Sequence, residues 1–197
     1  MPSTPLPPLI LASSSPYRKE LLSRLRLPFQ CESPHVDETP LPLELPEATC
    51  ERLALAKARR VAQGHPAALV IGSDQVAVID GRPLGKPGNH ANAVRQLQDA
   101  RGRDAVFHTA VCLLDAASGR FRLERVPVAV RYRHFSDEEI ERYLAADRPY
   151  DCAGSGRIET LGITLVEWVR SDDPTALIGL PLIALSGMLR EEGWRLP

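Results

Sequence analysis

The stretch Leu69-Val70-Ile71-Gly72-Ser73-Asp74 decides the fold, because a short apolar run that ends in a carboxylate predicts a fully buried strand. In α/β sheets, ligands bind beyond the carboxyl ends of such strands. We therefore expect Asp74, at the end of this strand, to face a ligand, where its carboxylate could hold a divalent metal or orient a water. A turn aspartate that caps the next segment is the structural alternative.

A strand, a serine-rich turn and a helix are predicted at the start of the chain. Residues 9–12 form a short apolar run, and residues 17–25 have helical periodicity. Ser15 is suited to cap this helix, and Pro16 to occupy its first position, where a proline loses no hydrogen bond. The free N–H groups of the turn, with Ser13 and the guanidinium of Arg18, would suit a phosphate. A capped helix with a surface arginine is an equally ordinary explanation.

Two lysines are further candidates for an anion site. Residues 47–63 carry one apolar stripe at helical spacing, and Lys57 lies within it. Lys57 either extends from the edge of the stripe into solvent or faces an anion from a partly buried position. Lys86 follows a hairpin predicted over residues 76–84. It is either an ordinary turn lysine or an amine that Gly85 and Pro87 aim at a ligand.

The rest of the chain alternates between strands and helices. The patterns predict helices over residues 89–98, 136–146 and 180–191, strands over 29–32, 106–114, 121–133 and 163–169, and a loop over 150–162. This order indicates an α/β fold with a mixed twisted sheet flanked by helices. The length of 197 residues suits one large domain over 9–197, preceded by a disordered tail over 1–8.

Composition argues against several classes of protein. The 24 Lys and Arg are balanced by 25 Asp and Glu, so no basic excess favours binding to nucleic acid. The four cysteines form no CxxC pair and the five histidines are scattered, which disfavours a zinc site or a disulfide framework. No stretch approaches the roughly 20 apolar residues of a membrane span. With free thiols, these features favour a cytoplasmic protein that does not bind membranes.

The candidate side chains together suit phosphate chemistry. A proline-rich loop over residues 34–46 contains Asp37 and Glu38, which offer a second carboxylate. Three cations, a serine-rich helix start and two carboxylates can neutralise phosphates, hold Mg²⁺ and orient a water. The sequence has no P-loop motif. It also lacks the second aspartate, two residues after Asp74, that an aspartyl-phosphate phosphatase needs.

Eight ordered segments resemble those of the Maf nucleotide pyrophosphatases. They are Leu9-Ile-Leu-Ala-Ser-Ser-Ser-Pro-Tyr-Arg18, Val36-Asp-Glu38, Ala54-Leu-Ala-Lys-Ala58, Ile71-Gly-Ser-Asp-Gln75, Leu84-Gly-Lys-Pro87, His108-Thr109, Cys152-Ala-Gly-Ser155 and Gly179-Leu-Pro-Leu182. The resemblance extends over nearly the whole chain after the tail. It implies two lobes around a deep cleft, as in Maf and inosine triphosphatase folds, and a homodimer.

The resemblance also implies an activity and a role for each candidate residue. The enzyme would be a hydrolase acting on phosphoric anhydrides that uses Mg²⁺ or Mn²⁺ and splits a nucleoside triphosphate into a monophosphate and pyrophosphate. Asp74 would activate the water, and Glu38 would help Asp74 to hold the metal. The phosphate contacts would be Ser13, Arg18, Lys57 and Lys86.

Three positions bear on the choice of base. The branch of the family that acts on dTTP and UTP has arginine, threonine and glutamine where this chain has Tyr17, Gln75 and Glu159. This set resembles the branch that acts on 7-methyl-GTP. An aromatic face suits a cationic methylated purine, and a carboxylate could accept hydrogen bonds from guanine N1–H and N2–H₂. Gly156 and Thr160 depart from the family pattern beside Glu159, and therefore bear on base choice more than on hydrolysis.

Several alternatives stay open at this point. Ala110 also departs from the family pattern, but no proposed catalytic group is lost. Tyr17 could pack as an ordinary helix residue, and Glu159 could be a solvated loop acid. The activity could be that of a dTTP/UTP pyrophosphatase. The protein could also be a nucleotide-binding regulator of septum formation that needs no turnover.

Overall fold

The computed structural model describes residues 6–197, so the first five residues of the predicted tail lie outside the described residues. The strands are β1 (Leu9–Ala12), β2 (Gln30–Glu32), β3 (Leu69–Ile79), β4 (Arg82–Leu84), β5 (Asp104–Asp115), β6 (Phe121–Tyr132) and β7 (Val166–Arg170). The α-helices are α1 (Pro16–Ser23), α2 (Pro46–Ala62), α3 (His90–Ala100), α4 (Asp137–Asp147) and α5 (Leu182–Glu191). Short 3₁₀ turns span Ala153–Ser155, Leu161–Leu165 and Pro174–Ile178. Within the described part of the chain, no helix is long and apolar enough to cross a membrane.

All seven strands form one mixed sheet, which confirms the predicted fold class. The strand order is β2-β1-β3-β5-β6-β7, and β4 pairs with the far end of β3. β1 runs parallel to β2 and β3, whereas the other pairs are antiparallel. One lobe has α1 and α5 on one face of the sheet and α2 on the other. The second lobe packs α3 and α4 against the opposite ends of β3, β5 and β6.

Strand β3 is longer than its sequence pattern predicted. The prediction ended one strand at residue 73 and began a separate hairpin at residue 76, but a single strand runs through Asp74. Every residue of β3 pairs with β5, which lies more than 25 residues away along the chain. This long-range ladder holds the polar residues of β3 extended, so the prediction that Asp74 ends a strand is wrong.

The opposite edge of β3 has a gap in its pairing. β1 ends opposite Gly72, and β4 begins pairing only at Ala77. The intervening residues 73–76 therefore have a strand neighbour on one side only. Asp74 lies just past the end of the parallel strand β1, so it still occupies the type of position where α/β sheets bind ligands.

Local signals at the helix ends are confirmed. The Ser15 hydroxyl accepts a hydrogen bond from the backbone N–H of Arg18 at 3.4 Å, and Pro16 is the first residue of α1. Ser136 and Glu139 form a capping box at the start of α4. These features depend on residues a few positions apart, which is why sequence patterns predict them well.

The predicted strand over residues 163–169 begins later, at Val166. Its first residues belong instead to the 3₁₀ turn Leu161–Leu165, which also interrupts the predicted loop. The N–H of Gly162 donates to the carbonyl of Arg157 at 3.0 Å, and a Cβ on this glycine would overlap that oxygen. The chain therefore folds back on itself here before it can join the sheet.

Candidate active site

A glycine in β3 lets α2 lie directly on the strand. A Cβ on Gly72 would overlap the carbonyl oxygen of Ala54 and lie 2.9 Å from the N of Ala58. Side chains alternate between the faces of a strand, so Asp74 points towards the same helix as position 72. The close packing therefore brings Lys57 of α2 against Asp74.

Lys57 joins two carboxylates at the centre of the site. Its Nζ lies 2.5 Å from Asp74 Oδ1 and 2.7 Å from Glu38 Oε1. Lys57 is 5% exposed and Asp74 is 7% exposed, so this lysine does not reach into solvent from the edge of the helix. Two of its three N–H groups are used by carboxylates, which leaves one for a further acceptor.

The two carboxylates have opposite pKa shifts. Burial raises the pKa of Asp74, and the nearby charges of Lys57 and Arg18 offset only part of this effect. Burial also raises the pKa of Glu38, but the hydrogen bond from Lys57, with attraction to Lys57, Lys86 and Arg18, outweighs it and lowers this pKa overall. The site therefore strengthens Asp74 as a base relative to an ordinary aspartate and weakens Glu38 relative to an ordinary glutamate.

Arg18 is held on the other face of β3. The carbonyl of Gly179 accepts from Arg18 Nε at 2.8 Å and from the hydroxyl of Ser73 at 2.9 Å. Gly179 has a φ of +117°, a conformation that side chains disfavour, and a Cβ there would lie 3.4 Å from Arg18 Nε. Within residues 6–197, Arg18 uses only Nε in hydrogen bonds, so both Nη groups can bind a ligand.

One cleft of about 830 Å³ is lined by all nine residues to which the sequence assigned a catalytic, phosphate-binding, metal-binding or base-reading role. Ser13 is buried at the end of β1, where its hydroxyl accepts from the N–H of Ser15 at 3.1 Å. Lys86 is exposed in the loop after β4. These nine residues are Ser13, Tyr17, Arg18, Glu38, Lys57, Asp74, Gln75, Lys86 and Glu159.

Tyr17 and Glu159 lie in a less regular part of the cleft. The guanidinium of Arg157 lies 5.3 Å from the centre of the Tyr17 ring, so one ring face already carries a cation. Asp151 accepts from the Tyr17 hydroxyl at 3.4 Å and from Arg157 Nη2 at 3.0 Å. Burial raises the pKa of Tyr17 to about 12 and also raises the pKa of Glu159, whose side chain is nevertheless exposed.

Gln75 is tied to the wall of the cleft. Its Nε2 lies 2.8 Å from Thr109 Oγ1 and 3.0 Å from the carbonyl oxygens of both Ala176 and Leu177. The amide nitrogen therefore anchors the turn Pro174–Ile178 to β3. Only the Oε1 atom of Gln75 is left to read a ligand, and it can only accept hydrogen bonds.

A family model described as Maf-like protein matches residues 8–192. The chain belongs to the Maf family.

Several curated relatives share most of the Maf chain. It is 58% identical over 194 residues to a protein of Cupriavidus pinatubonensis, with 98% of each chain covered. It is 58% identical over 189 residues to a protein of Aromatoleum aromaticum, covering 96% of this chain and 97% of the relative. It is 55% identical over 188 residues to a protein of Methylobacillus flagellatus, covering 95% and 98%. Each of these relatives is named 7-methyl-GTP pyrophosphatase.

The carboxylates of this Maf protein fit a divalent metal that also binds substrate. The ammonium group of Lys57 already lies between oxygens of Asp74 and Glu38, so the two carboxylates accommodate a positive charge. Such hard oxygen donors suit Mg²⁺ or Mn²⁺. Among residues 6–197, no three His, Cys, Asp or Glu side chains lie together as a metal cage. Mg²⁺ commonly uses one or two carboxylates and takes its other ligands from phosphates and water.

Sequence reasoning missed the residues that support the site of this Maf protein from behind. Ser73 and Gly179 fix Arg18, while Asp151 and Arg157 hold Tyr17. Gly179 lies in a segment that resembles the family, but its contact spans 161 positions of the chain. Local spacing carries no signal for such contacts.

Proposed function

We propose that this Maf protein hydrolyses 7-methyl-GTP to 7-methyl-GMP and pyrophosphate. The names of its relatives support this activity. The observation that carries the proposal is that buried Asp74, paired with Lys57, shares one cleft with Tyr17 and Glu159. This arrangement combines a base for water with groups suited to a methylated purine.

Asp74 is the proposed proton acceptor. Water adds across the anhydride between the α and β phosphates, its proton passes to Asp74, and the bond to the departing pyrophosphate breaks. The raised pKa makes this carboxylate a better base than an ordinary aspartate, provided that it is ionised at the working pH. Asp74 needs no rearrangement to reach the cleft, because it already lines it.

The proposed phosphate contacts approach from both faces of β3. Arg18 offers its Nη groups from the side of α1, and Lys57 offers an ammonium from α2. The Ser13 hydroxyl lies at the turn before α1, and Lys86 reaches in from the rim. These cations and donors stabilise the negative charge that builds up on the leaving pyrophosphate.

Asp74 and Glu38 are the proposed holders of Mg²⁺ or Mn²⁺. When bound, the ion would supply charge neutralisation and help to orient the phosphates. Lys57 would then exchange its contacts with the two carboxylates for contacts with phosphate oxygens.

Tyr17 and Glu159 are the proposed base-reading groups. The ring face of Tyr17 opposite Arg157 can stack on the cationic 7-methylguanine. Glu159 can accept from guanine N1–H and N2–H₂, and Oε1 of Gln75 adds a further acceptor. Uracil and thymine offer no such pair of adjacent donors, which disfavours the dTTP/UTP alternative.

A panel of four nucleotides tests this function. Purified protein with Mg²⁺ is given 7-methyl-GTP, GTP, dTTP or UTP, and the release of pyrophosphate is measured. We expect the highest kcat/KM with 7-methyl-GTP. A higher value with dTTP or UTP would overturn the base assignment, and no pyrophosphate from any of the four would overturn the hydrolysis.

We also propose that the protein works as a cytoplasmic homodimer of single-domain chains and takes a nucleotide rather than a nucleic acid. The family resemblance, four free cysteines and a net charge of -1 support these points. Light scattering after size exclusion should give twice the chain mass of 21.7 kDa. A monomer at micromolar concentration would contradict the dimer.

A further inference from the structure

The loop that carries Glu38 is clamped to α2 by one arginine. Arg52 Nε lies 2.5 Å from Glu44 Oε1, and Nη2 lies 2.7 Å from Glu44 Oε2. The same Nη2 also donates to the carbonyl of Thr39 at 3.2 Å. Two parallel N–H···O bonds between a guanidinium and a carboxylate form a directional pair, which an ammonium cannot reproduce.

The carboxylate of Glu44 is itself fully engaged. Its Oε2 also accepts from the N–H of Leu41 and from the hydroxyl of Thr49, both at 3.0 Å. The hydrogen bond from Arg52 is the main cause that lowers the pKa of Glu44 to about 2, so the clamp stays charged across the useful pH range. Glu44 therefore links the loop, through Leu41, to Thr49 and Arg52 of α2.

Glu38 depends on polar contacts for its position. Its side chain is 56% exposed, so packing alone does not fix it. Lys57 holds its carboxylate, and Arg52 holds the carbonyl of the next residue, Thr39. A local turn, in which Asp37 Oδ1 accepts from the N–H of Thr39 at 2.9 Å, stiffens the same three residues.

Lys57 and Arg52, which hold Glu38 and its neighbour Thr39, behave differently in the proposed reaction. Lys57 would leave Glu38 when it turns to the phosphates, whereas Arg52 is not among the residues that line the cleft and would keep its contacts. We propose that Arg52 and Glu44 are positioning residues that hold Glu38 in place to bind the divalent metal once Lys57 has turned to the substrate. This inference rests on the proposed function, in which Glu38 helps to hold that metal.

Mn²⁺ binding measures this role directly. The full chain is saturated with the non-hydrolysable α,β-methylene analogue of 7-methyl-GTP, and free Mn²⁺ is counted by electron paramagnetic resonance. We expect Arg52→Lys and Glu44→Gln each to weaken Mn²⁺ binding about tenfold, as is typical when a group that orients a metal ligand is lost. Thermal unfolding shows whether each variant folds. If one of them does not fold, the other one is sufficient for the test.

Arg24→Lys is the matched control. Arg24 also pairs with a glutamate on the surface, at 3.1 Å from Glu20, but Arg24 follows the last residue of α1, and among the described residues neither partner bonds to the loop of Glu38. Its replacement makes the same chemical change and should leave Mn²⁺ binding unaltered. An equal loss in Arg24→Lys and Arg52→Lys would overturn the inference.

A Glu38→Gln background separates the two levels of the proposal. If Arg52 acts through Glu38, Arg52→Lys should cause no further loss of Mn²⁺ affinity once Glu38 is changed. A full additional loss, or an effect of Glu38→Gln without any effect of Arg52→Lys, overturns the positioning role alone. Unchanged Mn²⁺ binding in Glu38→Gln overturns the proposed metal role of Glu38, and the inference with it.

Discussion

The two ends of the cleft are built differently. At the end where we propose that phosphates bind, called the phosphate end, Lys57 and Asp74 belong to long regular elements, are almost fully buried and form a 2.5 Å ion pair. At the end where we propose that the base binds, called the base end, Glu159 is exposed beside short 3₁₀ turns, and the Tyr17 hydroxyl reaches Asp151 at only 3.4 Å.

The difference indicates which properties of the enzyme can change separately. The charged groups of the phosphate end are oriented before any ligand arrives, which is what stabilisation of a transition state requires. Apart from Gln75, whose amide is firmly held, the base end is shaped by fewer and longer contacts. Substitutions at the phosphate end should therefore slow every nucleotide alike, whereas those at the base end should alter the ratio between nucleotides.

Asp74→Asn should have the largest effect. The amide cannot accept the proton of water, so we expect kcat to fall about a thousandfold for 7-methyl-GTP, GTP and UTP alike. Nucleotide binding, measured by calorimetry with the α,β-methylene analogue, should persist. Retained turnover would refute Asp74 as the proposed base.

Lys57→Gln should have the second largest effect. We expect kcat/KM to fall about a hundredfold for all nucleotides. Lys57 lowers the pKa of Asp74, so its loss raises that pKa further. The ionised carboxylate is the active form. When the pH is lowered, the variant should therefore lose activity at a higher pH than the unchanged protein. Lys19→Gln, on the exposed side of α1, is the control; a pH profile in Lys57→Gln equal to that of the control would contradict the pairing.

Tyr17→Leu should act on base choice alone. Loss of the aromatic face should reduce the preference for 7-methyl-GTP over GTP about tenfold, with UTP hydrolysis little changed. The comparison uses kcat/KM for the three nucleotides. Tyr150→Leu, whose ring contacts His90 and does not line the cleft, should keep the preference. A uniform loss in Tyr17→Leu would mean that the two ends are not separable.

Lys86→Gln should have the smallest effect. Lys86 is exposed, so water and salt screen its charge, and we expect KM to rise about threefold at low ionic strength. The rise should shrink when salt is added, in steady-state assays with 7-methyl-GTP. A large, salt-independent effect would instead move Lys86 into the buried group with Lys57.

The sequence predicted short-range features and the members of the cleft far better than their supports. Ser15 and Ser136 were correct as helix caps because a cap depends on residues three positions away. The predicted length of β3 was wrong because the pairing of this strand with β5 is set by tertiary structure. Arg52 and Arg157 carried no local signal, since an arginine becomes a clamp or a stacking partner only when distant residues meet it.

The continuous ladder between β3 and β5 has a consequence for motion. Both strands run from the lobe of α1, α2 and α5 into the lobe of α3 and α4, so any movement of one lobe against the other must bend or twist this ladder. We expect the amide protons that β3 and β5 share in this ladder to exchange with deuterium at the slow rate of global unfolding in both lobes. Faster exchange is expected at the amides of residues 73–76 that face the gap between β1 and β4, and in the turns after Cys152.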